Sequence, residues 1–539
     1  MKALKHVILG FIVLFPLCLF SQQPARPKLV VGIVVDQMRW DYLYRFSDRY
    51  GQGGFRRLQR EGFTCDNTWI PYLPTVTAPG HACIYTGSVP ALHGIMGNNW
   101  YEPSQRRTVY CVGDTAVQSV GTTSAEGHMS PRNLWSSTIT DELKLASNFR
   151  SRIISIALKD RGAVLPAGHG ADGAFWFDNA SGSWISSTWY MSELPAWMQR
   201  INAKQLPHRY MQQDWNTLYP SHTYRQSMAD SSAFEGRMTD GVTFPHRLSH
   251  ARADQRYEHF RSTPFAATYT FETAMEAIRS EQMGKDSTCD FLALSISSTD
   301  YAGHKFGPNS VEVEDSYLRL DRDVARFLEF LDKSVGRGQY LVFLSSDHGA
   351  ANNAPLLKQY RMTGDILDMG RLRVRLNDSL SRYFGSRHLV ATVINHQVYL
   401  DHRAAVENNI DRAAVLQYIR KFLLAQPGIA FVTEPGKDDL SLPEHLRMVL
   451  GNSYNQKRSG DLQYHLMPQW FESRTTGTTH STWNPYDARI PLIWFGWKIP
   501  AGKTSRQVYM TDIAPTLAAL LHIPTPNAAI GQVITEVVR

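Results

Sequence analysis

The chain has 539 residues, 43% apolar and 19% charged, a balance that excludes a disordered polymer and supplies enough apolar material for a large core. Its formal charge of +7 falls to +5 once Lys2 and Lys5 are set aside, and the excess is spread without runs, so composition offers no nucleic-acid-binding stripe. A mild positive balance suits small anionic substrates.

The first residues, MKALKHVILGFIVLFPLCLFSQQ, combine a basic start, an apolar run from Val7 to Phe20 and the small residue Ser21. This predicts a signal peptide over residues 1–21 and a periplasmic or secreted protein. The run is too short to span a bilayer, and Phe15-Pro16-Leu17 ahead of Cys18 lacks the small residues of a lipid-anchoring site, so no stable membrane anchor is expected. Residues 22–539 then read as one catalytic domain. Its four cysteines, Cys65, Cys83, Cys111 and Cys289, lack CxxC spacing; two disulfides and four buried thiols are both open readings.

Along the mature chain, short β-branched apolar runs abut polar residues able to do chemistry. LVVGIVV precedes Asp36, RIISIAL precedes Lys159, FLALSIS precedes Asp300, YLVFLSS precedes Asp347, and IPLIWFG follows His480. Continuous apolar strands of this kind predict an α/β fold with a central, largely parallel sheet flanked by helices, and VEDSYLRLDRDVARFLEFLDKSV supplies a helical pattern between the third and fourth runs. Ligands of such sheets sit beyond the carboxyl ends of the strands, where these side chains would converge. Two segments break the alternation, at about 163–264 and 350–478. They are expected to lie as insertions over the active-site edge, the first loop-rich (WFDNASGSWISSTWYMSELPAWMQR), the second with a helical stretch and strands near GIAFVTEP and GDLQYHLMPQW.

Between the first and second runs stands TVTAPGHACIYTG, Thr75 to Gly87, in which threonines precede a helical pattern. A threonine there caps the helix, or its hydroxyl serves as a nucleophile at the positive helix end. Downstream, STDYAGHKFG, SSDHGA and TTHSTW supply Asp300, His304, Asp347, His348 and His480, and VVDQMRWD supplies Asp36. Three carboxylates and three imidazoles form a mixed oxygen and nitrogen set that suits zinc better than magnesium or calcium, and six ligands are enough for two zinc ions.

These blocks, with HGIMGNNW and LKDRGAVLPAGHGADGAFWFD in the same order, resemble the alkaline phosphatase superfamily in its threonine-nucleophile branch, which includes nucleotide pyrophosphatase/phosphodiesterases and secreted bacterial threonine alkaline phosphatases. The resemblance implies that Thr77 is the nucleophile and a metal ligand. One zinc would be held by Asp300, His304 and His480, and the other by Asp36, Asp347 and His348. It further implies that Asn98 donates to a phosphoryl oxygen. Lys159 and Arg161 match the cation pair of the monoesterases, which would face the oxygen that only a monoester leaves free. The implied activity is hydrolysis of small phosphate monoesters through a phospho-threonine; a phosphodiesterase or nucleotide pyrophosphatase with the same two zinc ions is the alternative. A sulfatase would need a Cys or Ser nucleophile in another context. His81 and His93 are expected to orient local backbone, His169 and Asp172 to line a rim or cap a turn, and Trp176 and Phe177 to stack on a substrate or fill the core.

Overall fold

The computed structural model describes residues 25–538 except 240, 386, 387, 438, 473 and 474, so the leader lies outside the described residues. A ten-stranded sheet forms its centre. The strands Tyr340–Ser345, Leu29–Val35, Asp290–Ile296, Ile153–Ala157 and Gly173–Asp178 lie side by side in that order, all parallel. Leu29–Val35 is buried along its whole length because both sheet faces are covered. Val31, Ile33 and Val35 pack on the side of helices Pro264–Ser280 and Val311–Leu331, while Val30 and Val34 pack on the side of helices Thr77–Thr86 and Ile513–Leu521. Burial on both faces explains why these runs are continuously apolar rather than alternating.

Two sequence expectations need correction. Leu492–Gly496, within IPLIWFG, runs antiparallel to Tyr340–Ser345. Having left His480 at the carboxyl edge of the parallel strands, the chain starts this strand from that edge and must run the opposite way. The segment beginning at 163 is also not all insertion: Gly173–Asp178 is a sheet strand, and Ser183–Ser187 pairs with it as an antiparallel hairpin. The polar turn between them, closed by Gly182 at φ 72°, disguised a strand–turn–strand unit. Trp176 and Phe177 are both buried in it.

The second insertion has its own core. A four-stranded sheet of Val390–Ile394, Gln397–Leu400, Leu462–Leu466 and Ile429–Thr433 is covered by helices Met369–Phe384 and Arg412–Leu424. Leu372, Leu376 and Leu380, four residues apart, present one helical stripe to it. The four cysteines are free and buried, Cys65, Cys83 and Cys289 in one core and Cys111 in another, which decides against the disulfide reading. No helix among the described residues is long and apolar enough to cross a membrane.

Candidate active site

The parallel strands deliver their polar followers to one edge. Asp36 directly follows Leu29–Val35, Lys159 lies two residues beyond Ala157, Asp347 two beyond Ser345, and Asp300 opens the helix Ser298–Phe306 after Asp290–Ile296. Thr77 is the first residue of Thr77–Thr86, a helix buried at all ten positions. Neither threonine caps it: the N-cap is Val76, and the Thr75 hydroxyl donates instead to Thr482 O at 2.9 Å. The helix can lie this close because position 80 is glycine; a Cβ there would sit 2.6 Å from Asp347 Cβ and from Asp347 O.

Around the Thr77 hydroxyl the geometry is tight. Lys159 Nζ donates to Thr77 Oγ1 at 3.1 Å and to Asp300 Oδ2 at 2.6 Å, and stands 2.8 Å from Asp36 Oδ2. Asn98 accepts the Ala78 N–H on its Oδ1 at 2.9 Å, which leaves its Nδ2 hydrogens for another acceptor at the helix entrance. His81 spans Thr77 O and Ser295 Oγ, each at 2.9 Å, and burial lowers its pKa to about 3, so it is neutral.

The three expected imidazole ligands share one arrangement. His304 Nδ1 faces Thr478 O at 2.8 Å, His348 Nδ1 faces Gly349 O at 2.9 Å, and His480 Nδ1 faces Thr75 O at 2.7 Å. Each carbonyl accepts from Nδ1–H, so each ring turns its Nε2, the atom that would bind a metal, toward the carboxylates. The His304 and His480 Nε2 atoms then stand 3.3 Å apart, with Asp300 Oδ1 at 3.2 Å from the first and 3.6 Å from the second. The His348 ring stacks on His480 at 3.6 Å between centroids, and its Nε2 lies 3.6 Å from Asp36 Oδ1 and 3.5 Å from Asp347 Oδ2.

Two groups have the spacing of a metal site: Asp300, His304 and His480, and Asp36, Asp300 and His348. The first is the set expected from sequence. The second differs in having Asp300 where Asp347 was expected; Asp347 Oδ1 accepts from the Gln37 and His348 backbone N–H groups at 3.1 Å each, and its Oδ2 stands 3.5 Å from His348 Nε2. The site fits a cation on its own chemistry: Asp36 Oδ1, Asp347 Oδ2 and His348 Nε2 are buried without a hydrogen-bond partner. Electrostatics agree. Burial pushes the Asp36 carboxyl up to about 6 against the pull of Lys159, and burial with the Asp36 charge raises Asp347 as well. Burial would also raise Asp300, yet His304 and Lys159 hold it well below the usual range. Burial opposes the Lys159 charge too, but Asp300 and Asp36 keep it at about 12. One ammonium thus faces three carboxylates, an excess of negative charge that divalent ions would balance.

Arg161 is engaged differently from Lys159. Its Nη1 donates to Tyr110 Oη at 3.2 Å and stands 3.8 Å from Asp160, and Tyr110 in turn donates to Asp160 at 2.5 Å. His169 pairs with Asp141 and Asp172 with Lys144, apart from the cluster. Sequence reasoning missed the supporting groups. Gln37 donates to Asp300 Oδ1 at 2.7 Å from a left-handed backbone (φ 63°), and Thr299 donates to Asp36 O. Asp487 accepts from the Ser481 and Thr482 N–H groups, holding the strained Ser481 (φ 135°) beside His480. Only the adjacency of Gln37 to Asp36 was visible in the sequence.

A family model described as type I phosphodiesterase / nucleotide pyrophosphatase matches residues 30–487, a span holding every group above. The chain belongs to this family. Within it, alkaline phosphatase PhoV of Synechococcus elongatus is 48% identical over 96% of this chain and 94% of its own. A Myroides odoratus protein named calcium-transporting ATPase is 47% identical over 97% of this chain and 96% of its own. Among solved structures, wild-type alkaline phosphatase PafA superimposes with a TM-score of 0.92 at 45% identity, covering 95% of this chain and 99% of that one.

Proposed function

We propose that the protein is an exported, zinc-dependent alkaline phosphatase that hydrolyses small phosphate monoesters by way of a phospho-threonine at Thr77. The observation that carries this reading is the placement of the Thr77 hydroxyl, buried at a helix entrance, 3.1 Å from Lys159 Nζ and beside buried ligand atoms that lack partners. Relatives named alkaline phosphatases, similar along nearly their whole length, support the reaction class. The leader over residues 1–21 supports export.

Mixed carboxylate and imidazole donors fit zinc. Asp300, His304 and His480 would hold one ion and Asp36, Asp347 and His348 the other, with Thr77 beside them and Asp300 within reach of both. When bound, the ions would supply Lewis-acid stabilisation of the attacking and leaving oxygens. The chain's own groups do the rest. The helix entrance presents its positive end to the phosphoryl group, the Asn98 amide donates to one phosphoryl oxygen, and the Lys159 ammonium neutralises developing charge. Neutral His81 ties Thr77 O to the strand Asp290–Ile296 and fixes the helix on the sheet. A phosphodiesterase is the second reading, favoured by one observation: Lys159 bonds the Thr77 hydroxyl directly, whereas the Arg161 Nη1 bond goes to Tyr110.

The test is a parallel assay of an aryl phosphate and its bis-aryl diester, after chelation and after re-addition of zinc, magnesium or calcium singly. Monoester turnover restored by zinc alone is expected. Diester preference in the zinc-loaded enzyme would overturn the monoesterase reading, and full activity under chelation would overturn the metal.

A further inference from the structure

The second insertion ends its first hairpin directly on the site. Strands Val390–Ile394 and Gln397–Leu400 pair with Ile394 opposite Gln397, so the loop consists of Asn395 and His396 alone. Both are left-handed, at φ 53° and 60°, the backbone of a type I′ turn. Asparagine and histidine are among the residues with side chains that accept that conformation most readily.

Each tip residue holds a different wall of the site. Asn395 Nδ2 donates to Asn99 O at 2.7 Å, immediately after Asn98. Gly97, on the other side of Asn98, is glycine for the same contact: a Cβ there would stand 2.4 Å from Asn395 Nδ2. His396 Nε2 lies 3.3 Å from Ser481 Oγ, the residue after His480. The loop before Leu462–Leu466 adds further ties. The Arg458 guanidinium stacks between Trp100 and Trp135, at 4.6 and 3.9 Å, and donates to Gly94 O. Ser453 Oγ accepts the Leu73 N–H at 2.7 Å on the approach to Thr77. Segments distant in sequence that carry Asn98, His480 and Thr77 are therefore all tied to the second insertion.

We propose that Asn395 is a positioning residue for phosphoryl transfer, setting the height of the Asn98 amide above the Thr77 helix. The physical logic is two-point fixation. The Asn98 side chain is pinned at Oδ1 by the Ala78 N–H, and its main chain is pinned at the next carbonyl by Asn395, so the Nδ2 hydrogens have one direction left. The Cys111 N–H holds the Asn98 carbonyl itself at 3.0 Å, so without Asn395 the segment is tied on its hairpin side alone. The proposal rests on the reading of Asn98 as a donor to substrate.

Asn395→Gly tests it, since glycine keeps the turn and removes only the amide. In the zinc-loaded, full-length enzyme, kcat/KM for an aryl phosphate should fall about 10- to 100-fold, the range for a displaced catalytic contact, with zinc content unchanged. The double variant Asn98→Ala/Asn395→Gly should be no slower than Asn98→Ala alone, a non-additivity that loss of general stability would not produce. Wild-type kinetics in Asn395→Gly, or a double variant slowed by the product of the two single losses, would overturn the positioning role while leaving the phosphatase reading intact. Wild-type kinetics in Asn98→Ala would overturn the donor role of Asn98 and this proposal with it.

Discussion

Lys159 and Arg161 are two residues apart and carry the same charge, yet the structure gives them different surroundings, and removing them should have different consequences. Lys159 touches Thr77 Oγ1, Asp300 and Asp36 at once, whereas Arg161 is held by Tyr110 and Asp160. A hydrogen bond to a charged group contributes about 1.5 to 3 kcal/mol, so a Lys159 contact made only with a monoester dianion is worth roughly 10- to 150-fold in kcat/KM. Lys159→Ala should lower aryl phosphate kcat/KM by about that factor beyond its effect on the matched diester. To turn its Nη1 onto substrate, Arg161 must surrender its Tyr110 bond, about 0.5 to 1.5 kcal/mol. Arg161→Ala should therefore change the monoester-to-diester ratio by about 2- to 13-fold less than Lys159→Ala. Tyr110→Phe, which frees the guanidinium, should leave monoester turnover equal or raised. The assay is initial-rate kinetics on both esters with saturating zinc and zinc content measured for each variant. Equal proportional losses on monoester and diester in Lys159→Ala would refute the reasoning, because the ammonium would then be a structural counter-ion alone.

Two further perturbations probe the framework. Gly80→Ala drives a Cβ to within 2.6 Å of Asp347 main-chain and Cβ atoms, so the helix must shift; we expect a cost of about 1 to 3 kcal/mol in stability and at least a tenfold fall in kcat/KM, and wild-type kinetics would contradict that packing. Glu235 is buried with both oxygens unpartnered, and burial, with the Glu312 charge second, pushes its carboxyl up to about 10. A raised folded-state pKa means a contribution that is full below the ordinary carboxylate range and is lost as pH climbs toward 10. Glu235→Gln, neutral throughout, should therefore gain thermal stability over wild type increasingly from pH 6 to pH 9, and a constant Tm difference would refute the assignment.

What was legible in the sequence follows from which physical constraints are local. Apolar runs ending in Asp36, Lys159, Asp300 and Asp347 fixed both the sheet and its reactive edge, because a strand buried on both faces has to place its first polar residue at its end. The bond from Arg161 to Tyr110 was not legible because Tyr110 stands 51 residues earlier on a separate hairpin. Gln37 and Ser481 hold left-handed backbones that neither residue type announces. The two-residue tip at Asn395 and His396 was hidden for a related reason: Asn-His is a weak turn signal beside Asn-Gly, and its purpose emerges only where it meets Asn99 and Ser481. The hairpin of Gly173–Asp178 and Ser183–Ser187 passed for insertion because its serines and glycines face a buried but partly polar layer.

Whether Thr77 itself takes the phosphoryl group is the central claim, and acid-quenched turnover followed by peptide mass spectrometry tests it most directly. With zinc-loaded wild type and saturating aryl phosphate, the peptide containing Thr77 should gain the mass of one phosphoryl group, with fragmentation placing it on Thr77. Thr77→Ala should bind zinc, show no modified peptide and lose turnover. Thr77→Ala that turns over aryl phosphate at the wild-type rate, or a phosphoryl group trapped on another residue, would contradict the account.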